Sequence, residues 1–224
     1  MLLRTALIAA LAAGAAADAA KVAMADHTGF MVRLRGVVVA PNDDSTAIAL
    51  DGAPVAGSSV TVDDDPIPEL DITYKWAPNW GVELILGTSN HTVTAQGTLG
   101  TLGDVIDTDV LPPTLTLQYH FNPIGKFRPY VGIGVNYTLF FNSDVEGPLN
   151  APGADVDLDS SWGVAGQVGF DFDITDKWFV NFDFKYIDLN TTATFDGTIL
   201  NPVRATVDVD IDPIVVGGGI GYRF

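Results

Sequence analysis

The chain of 224 residues contains no cysteine. That absence excludes a disulfide-stapled secreted scaffold and a Cys-ligated zinc or iron–sulfur centre. Basic residues are scarce: 11 Lys and Arg stand against 28 Asp and Glu, a formal charge of -17. Such a balance excludes a nucleic-acid surface, which needs clustered cations. No segment beyond the N-terminal region holds 18 consecutive apolar residues, so no transmembrane helix is expected there. Only three histidines, His27, His91 and His120, are available as bases.

What the chain does have is apolar residues. Its mean hydropathy is +0.26, which fits so acidic a sequence if apolar side chains and carboxylates occupy separate zones. The first residues form an object of their own. Met1-Leu2-Leu3-Arg4 gives a positive start, Thr5 to Ala17 is rich in Ala and Leu, and Ala-x-Ala sites follow at Ala17-Asp18-Ala19 and Ala23-Met24-Ala25. This layout predicts a signal peptide over residues 1–25, with cleavage after Ala25 or, alternatively, Ala19. The run is too short for an anchor, since a spanning helix needs about 20 residues.

The remainder reads as β-structure. At the C-terminus Ile214, Val216, Ile220, Tyr222 and Phe224 alternate with Gly217, Gly219, Gly221 and Arg223, which is the period of a strand with one apolar face. Eight such segments are expected: about 28–40, 67–76, 80–89, 113–121, 127–141, 160–174, 177–192 and 206–224. Three short turns (77–79, 122–126 and 175–177) alternate with four long connections (41–66, 90–112, 142–159 and 193–205). Aromatics gather beside the short turns: Trp76, Trp80, Tyr119, Phe121, Phe127, Tyr130, Phe172, Trp178, Tyr222 and Phe224. Tyr137, Phe140, Phe141 and Tyr186 suggest a looser second belt. Aromatic belts, short turns on one side and long loops on the other predict an all-β, eight-stranded antiparallel transmembrane barrel with short periplasmic turns and long extracellular loops. A soluble β-sandwich is the alternative, since it would bury the same apolar faces against each other. Against it stand the length of those faces and the Gly, Thr, Asn and charges opposite them, which suit a narrow lumen.

Several runs carry a more specific likeness. They are Leu111-Pro112-Pro113-Thr114-Leu115, the stretch Lys126 to Gly132 continuing through Asn136-Tyr137-Thr138 to Phe140-Phe141, Ser161 to Gly169, Asp188 to Ala193, and the closing Gly221-Tyr222-Arg223-Phe224. Together they resemble the OmpW family of outer-membrane proteins. The resemblance spans nearly all of residues 26–224 and is densest from Leu111 to Ala193. It implies the outer membrane of a Gram-negative bacterium and a narrow barrel. The activity it implies is passive uptake of small hydrophobic molecules, alkanes and aromatics among them, with sideways exit into the bilayer. The terminal Tyr222 and Phe224 resemble the assembly signal of outer-membrane barrels, which implies the barrel-assembly machinery as a partner beside lipid and lipopolysaccharide. No cofactor and no catalysis are implied.

Four sets of residues could carry such a function. The inward charges Arg33, Arg35, Asp71, Lys75, Glu83, Asp171, Asp173, Asp183, Lys185 and Arg223 could form a polar floor that diverts cargo sideways, or a salt-bridge network that only stabilises the barrel. Pro112 and Pro113 could interrupt strand pairing and open the wall, or mark an ordinary loop junction, as could Gly147-Pro148. Ile48, Leu50, Val55, Leu99, Leu102, Val105 and Ile106 could line a hydrophobic entrance, or pack the loops together. The acidic runs Asp63-Asp64-Asp65 and Asp155-x-Asp157-x-Asp159 could hold a divalent cation, yet neither completes a calcium-loop motif, and a solvated rim explains them equally. Two other classes remain in view. A structural, adhesive or receptor-like barrel would have a lumen packed with ion pairs from end to end. An enzyme would need a Ser or Asp within hydrogen-bond reach of His91 or His120 on an exposed rim.

Overall fold

The computed structural model describes residues 28–42, 44–198 and 202–224. The expected signal peptide, both cleavage sites, His27 and Asp43 lie outside these residues.

Eight strands form one closed antiparallel barrel: β1 (Gly29–Ala40), β2 (Asp65–Ala77), β3 (Trp80–Gly87), β4 (Thr114–His120), β5 (Phe127–Val145), β6 (Ser161–Asp173), β7 (Trp178–Ile187) and β8 (Ile214–Arg223). Each strand pairs with its sequence neighbours, and β1 closes on β8 from Met31↔Arg223 to Ala40↔Ile214. The Phe224 N–H donates to the Phe30 carbonyl at 3.1 Å, so the last residue helps to close the seam. No helix among the described residues is long and apolar enough to cross a membrane, and the strands take that role.

The period-two pattern sorts the side chains as the alternation requires. Outward residues are large, apolar and exposed, among them Ile133 (67%), Val164 (57%) and Ile220 (51%). Hydrocarbon, not water, is the solvent in which such a belt is stable. Aromatic pairs ring the short-turn end: Trp80 with Tyr119, Tyr119 with Phe121, Trp178 with Tyr222 and Tyr222 with Phe224, at centroid distances of 4.9–5.1 Å. Tyr130 does not belong to this girdle. It is fully buried, points inward and donates to Asp183 at 2.6 Å, because it stands on the even, lumen-facing register of β5. Phe140 is likewise inward, on the same register.

The narrow wall of β8 is what lets large side chains fill the lumen. A Cβ at Gly221 would fall 2.1 Å from the Phe179 ring. Fully buried Phe179 occupies that space, with the Arg223 and Arg33 guanidiniums 4.0 and 5.5 Å from its ring centre.

The structure departs from the periodic reading in two respects. The long connections are themselves β-structured. Ser58–Val62, Ser89–Gly97 and Asp104–Leu111 form a sheet that continues upward from β5, while Asp155–Leu158, Asn190–Asp196 and Ala205–Asp210 form a second. The segments expected at 177–192 and 206–224 each break in two. The break lies where Asp212 adopts a left-handed φ of 38° and Pro213 follows it, with the Asp212 carboxylate accepting the Leu189 N–H at 3.0 Å. These extensions enclose a second apolar core, which includes Val60, Val105, Val145, Leu149, Val156 and Phe195.

Candidate functional site

The lumen has two zones, and the boundary falls at one level around the barrel. On β1 the inward row runs Arg33, Arg35, then Val37 and Val39. On β2 it runs Asp71, Glu69, then Ile67; on β3, Glu83 then Ile85; on β7, Asp183, Lys185, then Ile187. Below the boundary every large inward residue is charged, amide or hydroxyl, apart from His120, Tyr130, Phe179 and Met31; above it the row is largely aliphatic.

The lower zone is a dense ion-pair network. Arg35 Nε lies 2.6 Å from Asp71 and 3.0 Å from Glu69, and its Nη1 lies 3.1 Å from Asp183. Arg33 pairs with Glu83 and, at 3.1 Å, with Asp171, and donates to Thr73 at 2.7 Å. Arg223 meets Asp173 at 2.6 Å and Asp171 at 3.4 Å, and Arg128 meets Asp173 at 2.6 Å. Gln167 and Gln118 bridge Glu83, and Gln167 reaches Asp183. Lys185 Nζ, 2.7 Å from Glu69 and 3.3 Å from Asp183, forms the top of the network. Lys75 is buried at the short-turn end beyond it. Six cations (Arg33, Arg35, Lys75, Arg128, Lys185 and Arg223) thus share this zone with six anions (Glu69, Asp71, Glu83, Asp171, Asp173 and Asp183). Charges taken out of water this completely persist only when paired.

Above the floor is a narrow apolar chamber with a cavity volume of about 70 Å³. Its walls are Val39, Val62, Ile67, Ile85, Val93, Ile106, Val110, Phe140, Ile187, Leu189, Val207, Val209, Ile211 and Val215, with Glu69 and Lys185 beneath. Most of this lining was not singled out from the sequence. The signal was available: each wall residue of β1, β2, β3, β7 and β8 lies an even number of positions from an inward charge. Of the loop residues offered as an entrance, Ile106 lines the chamber, whereas Ile48, Leu50, Leu99, Leu102 and Val105 pack in the apolar core above it. Val55 stands half-buried at a turn, its N–H donating to the Ile48 carbonyl at 2.8 Å. Their displacement from the wall follows from the β-structure of the connections, which gives these side chains a core of their own.

Pro112 and Pro113 interrupt the wall. On one side the ladder stops between Ile85↔Thr114 and resumes at Ser89↔Val110; on the other it stops at Thr114↔Asn136 and resumes at Leu111↔Leu139. The register is the same before and after both gaps, so nothing has slipped. Two prolines without N–H groups remove the bonds. Asn136 compensates: its Nδ2 donates to the Pro112 carbonyl at 3.1 Å and to Thr114 Oγ1 at 2.9 Å. The Tyr137 N–H donates to the Pro113 carbonyl at 3.1 Å.

The fold and these runs match the OmpW family over residues 26–224. The chain belongs to the OmpW family. It is 37% identical over 223 residues to outer membrane protein W of Vibrio cholerae, covering 97% of this chain and 98% of the relative. It is 34% identical over 185 residues to the dibenzothiophene metabolism operon protein PahQ of Pseudomonas aeruginosa, covering 81% and 82%. The crystal structure of the outer membrane protein OprG from Pseudomonas aeruginosa superposes with a TM-score of 0.82 at 41% identity, covering 88% of this chain and 97% of that one. As an OmpW-family barrel the protein resides in the outer membrane of a Gram-negative bacterium. The short turns are then the periplasmic end, the charged zone the periplasmic half of the lumen, and the second apolar core an extracellular cap.

The remaining candidates find other partners. Asp65 and Asp63 accept the Asn90 and Thr92 N–H groups at 2.9 and 2.7 Å, standing in for a strand that is missing there. No group of three or more potential ligands that could hold a metal is present among the described residues. His120 is buried in the lumen against Gln118, at 3.0 Å. His91 Nε2 lies 3.0 Å from Ser89 Oγ, and its Nδ1 lies 2.9 Å from the Asp63 carbonyl and 3.6 Å from its carboxylate. Ser89 and His91 of this grouping are buried in the chamber wall, while the Asp63 side chain is exposed outside it. The neighbouring Asn90 and Thr92 N–H groups, which could have served an oxyanion, are taken by Asp65 and Asp63.

Proposed function

We propose that this protein is a passive channel for small hydrophobic molecules, which leave sideways into the bilayer through the gap at Pro112-Pro113. The observation that carries this reading is the abrupt change of the lumen from an aliphatic chamber to a paired-charge floor. An apolar solute in the chamber gains nothing by moving down into buried ion pairs, whose separation is costly. The interrupted ladder beside the same chamber leads to hydrocarbon. The name of PahQ, which places that relative in dibenzothiophene metabolism, accords with a small hydrophobic cargo. A structural barrel plugged from end to end fits less well, because the ion pairs fill only the periplasmic half.

Solute from outside must pass the cap, so Ile48, Leu50, Leu99 and Leu102 act here as its gate rather than as chamber wall. Val55 flanks them. The terminal strand with Tyr222 and Phe224 is presented to the assembly machinery, lipopolysaccharide surrounds the extensions, and residues 1–25 are removed on export. No catalytic step or cofactor enters this scheme.

The test is uptake of labelled octane by cells with and without the protein. Faster uptake that falls when Pro112→Val and Pro113→Val restore the ladder supports the reading. Equal uptake in all three strains overturns it.

A further inference from the structure

The chamber carries one polar station that neither the floor nor the fold uses. The inward row of β3 continues past Gly87 through Ser89, His91 and Val93, so Ser89 and His91 stand in the wall next to the Pro112 gap. The other hydroxyls of the lining pair with backbone carbonyls or another hydroxyl (Thr191 with Asp159 at 2.8 Å, Thr114 with Pro112 at 3.1 Å, Thr108 with Ser143 at 2.7 Å), whereas Ser89 alone among them meets an imidazole. Glu69 and Lys185 neutralise each other.

His91 is held in one orientation. A carbonyl can only accept, so the 2.9 Å contact with Asp63 places the ring proton on Nδ1. In the neutral ring Nε2 is then an acceptor, and the Ser89 hydroxyl donates to it over 3.0 Å. That fixes the Ser89 proton and leaves the oxygen lone pairs as the acceptor of the station. A hydroxyl donating into an imidazole is polarised, which strengthens its oxygen as an acceptor. Both side chains are buried and both border the chamber.

We propose that Ser89 and His91 form a binding site for the hydroxyl group of an otherwise apolar solute, such as a medium-chain or aromatic alcohol. The solute O–H donates to Ser89 Oγ, and its apolar body lies along the chamber wall. The site rests on the reading of the chamber as a solute path and narrows its substrate class: alcohols are held beside the lateral gap, while hydrocarbons pass without a fixed orientation. Satisfying a buried acceptor distinguishes two solutes of the same apolar size far better than the aliphatic wall does.

The experiment uses the full barrel in lipid nanodiscs, titrated with 1-octanol and with octane, with the ¹⁵N signals of the His91 ring as readout. These are assigned from the spectrum of a His91→Gln variant. Octanol is expected to shift the His91 signals at concentrations where octane does not. Ser89→Ala is expected to lower the ratio of octanol to octane affinity about fivefold, the factor of one ordinary hydrogen bond, and Ser89→Thr to restore it. Equal shifts from both solutes, or a ratio unchanged in Ser89→Ala, overturn the proposal. Since binding is read directly, a barrel that binds octanol at His91 yet speeds uptake of neither solute refutes the channel reading and leaves the site standing. A channel that passes both solutes with no preference at His91 does the reverse.

Discussion

Lys185 Nζ lies 2.7 Å from Glu69 Oε1, and this pair is the level at which the lumen changes from salt to oil. The zone periplasmic of it is dominated by charges and amides around Tyr130 and Phe179. Everything beyond it is largely aliphatic wall, and the break at Pro112-Pro113 stands beside that wall.

Removing one member of the pair should be far worse than removing both. Lys185→Met leaves Arg35 alone to balance Glu69, Asp71 and Asp183, an excess of buried negative charge expected to cost about 3–5 kcal/mol. Adding Glu69→Leu should recover most of that loss and deepen the chamber. Urea unfolding of the refolded barrel, with a double-mutant cycle, measures both effects.

Gly221→Ala should destabilise the barrel by about 1–3 kcal/mol through overpacking. The added methyl meets the Phe179 ring, which is clamped between Arg33 and Arg223. Retention of the folded, heat-modifiable form on gels during a temperature series reports the loss. Gly166→Ala, where a methyl meets open space, is the matched control.

Asn136→Ala should loosen the wall at the gap. It strips one of the two side-chain donors from the Pro112 carbonyl, leaving that of Thr114, and takes the acceptor from the buried Thr138 hydroxyl, at about 1–3 kcal/mol for a buried group left unsatisfied. Hydrogen exchange at Tyr137, whose N–H bonds to Pro113, should accelerate.

Asp109, half-buried on the extracellular extension, has its carboxyl held below the usual range by hydrogen bonds from Asn142 and Asn90. A lowered folded-state value means a stabilising contribution present above the unfolded value and lost as pH falls through the folded one. Asn142→Ala should therefore raise the Asp109 titration midpoint, as followed by carboxyl ¹³C chemical shift.

How much of this was legible in the sequence varies by zone. The barrel was, because period two with a lipid-facing apolar row is imposed on all eight strands, and inward charges such as Arg33, Asp71 and Lys185 fall on the opposite row. The chamber was harder to see. Val37, Ile67 and Ile187 are apolar like their lipid-facing neighbours, so only counting in twos from the nearest charge separates the two faces. Tyr130 misled through its type: an aromatic near a short turn suggests a girdle, but its register and the Asp183 carboxylate draw it inward. The β-structure of the connections was concealed because their alternation is short and broken by bulges, as between Val93 and Thr94. The Ser89–His91 contact was invisible for a different reason. It needs the inward row of β3 to run on past Ser89, the expected strand end, into the long connection that holds His91.

The most direct measurement closes the gap reversibly. Gly87 stands opposite Pro112 in the register that Ile85↔Thr114 and Ser89↔Val110 share, and both border the chamber, so a disulfide between them would span the gap. Because the chain has no cysteine of its own, a Gly87→Cys, Pro112→Cys variant can form only that bridge. Oxidation should slow octane uptake into liposomes holding the variant, and dithiothreitol should restore it. Equal uptake by the oxidised and reduced barrels would show that solute does not leave through the Pro112-Pro113 gap.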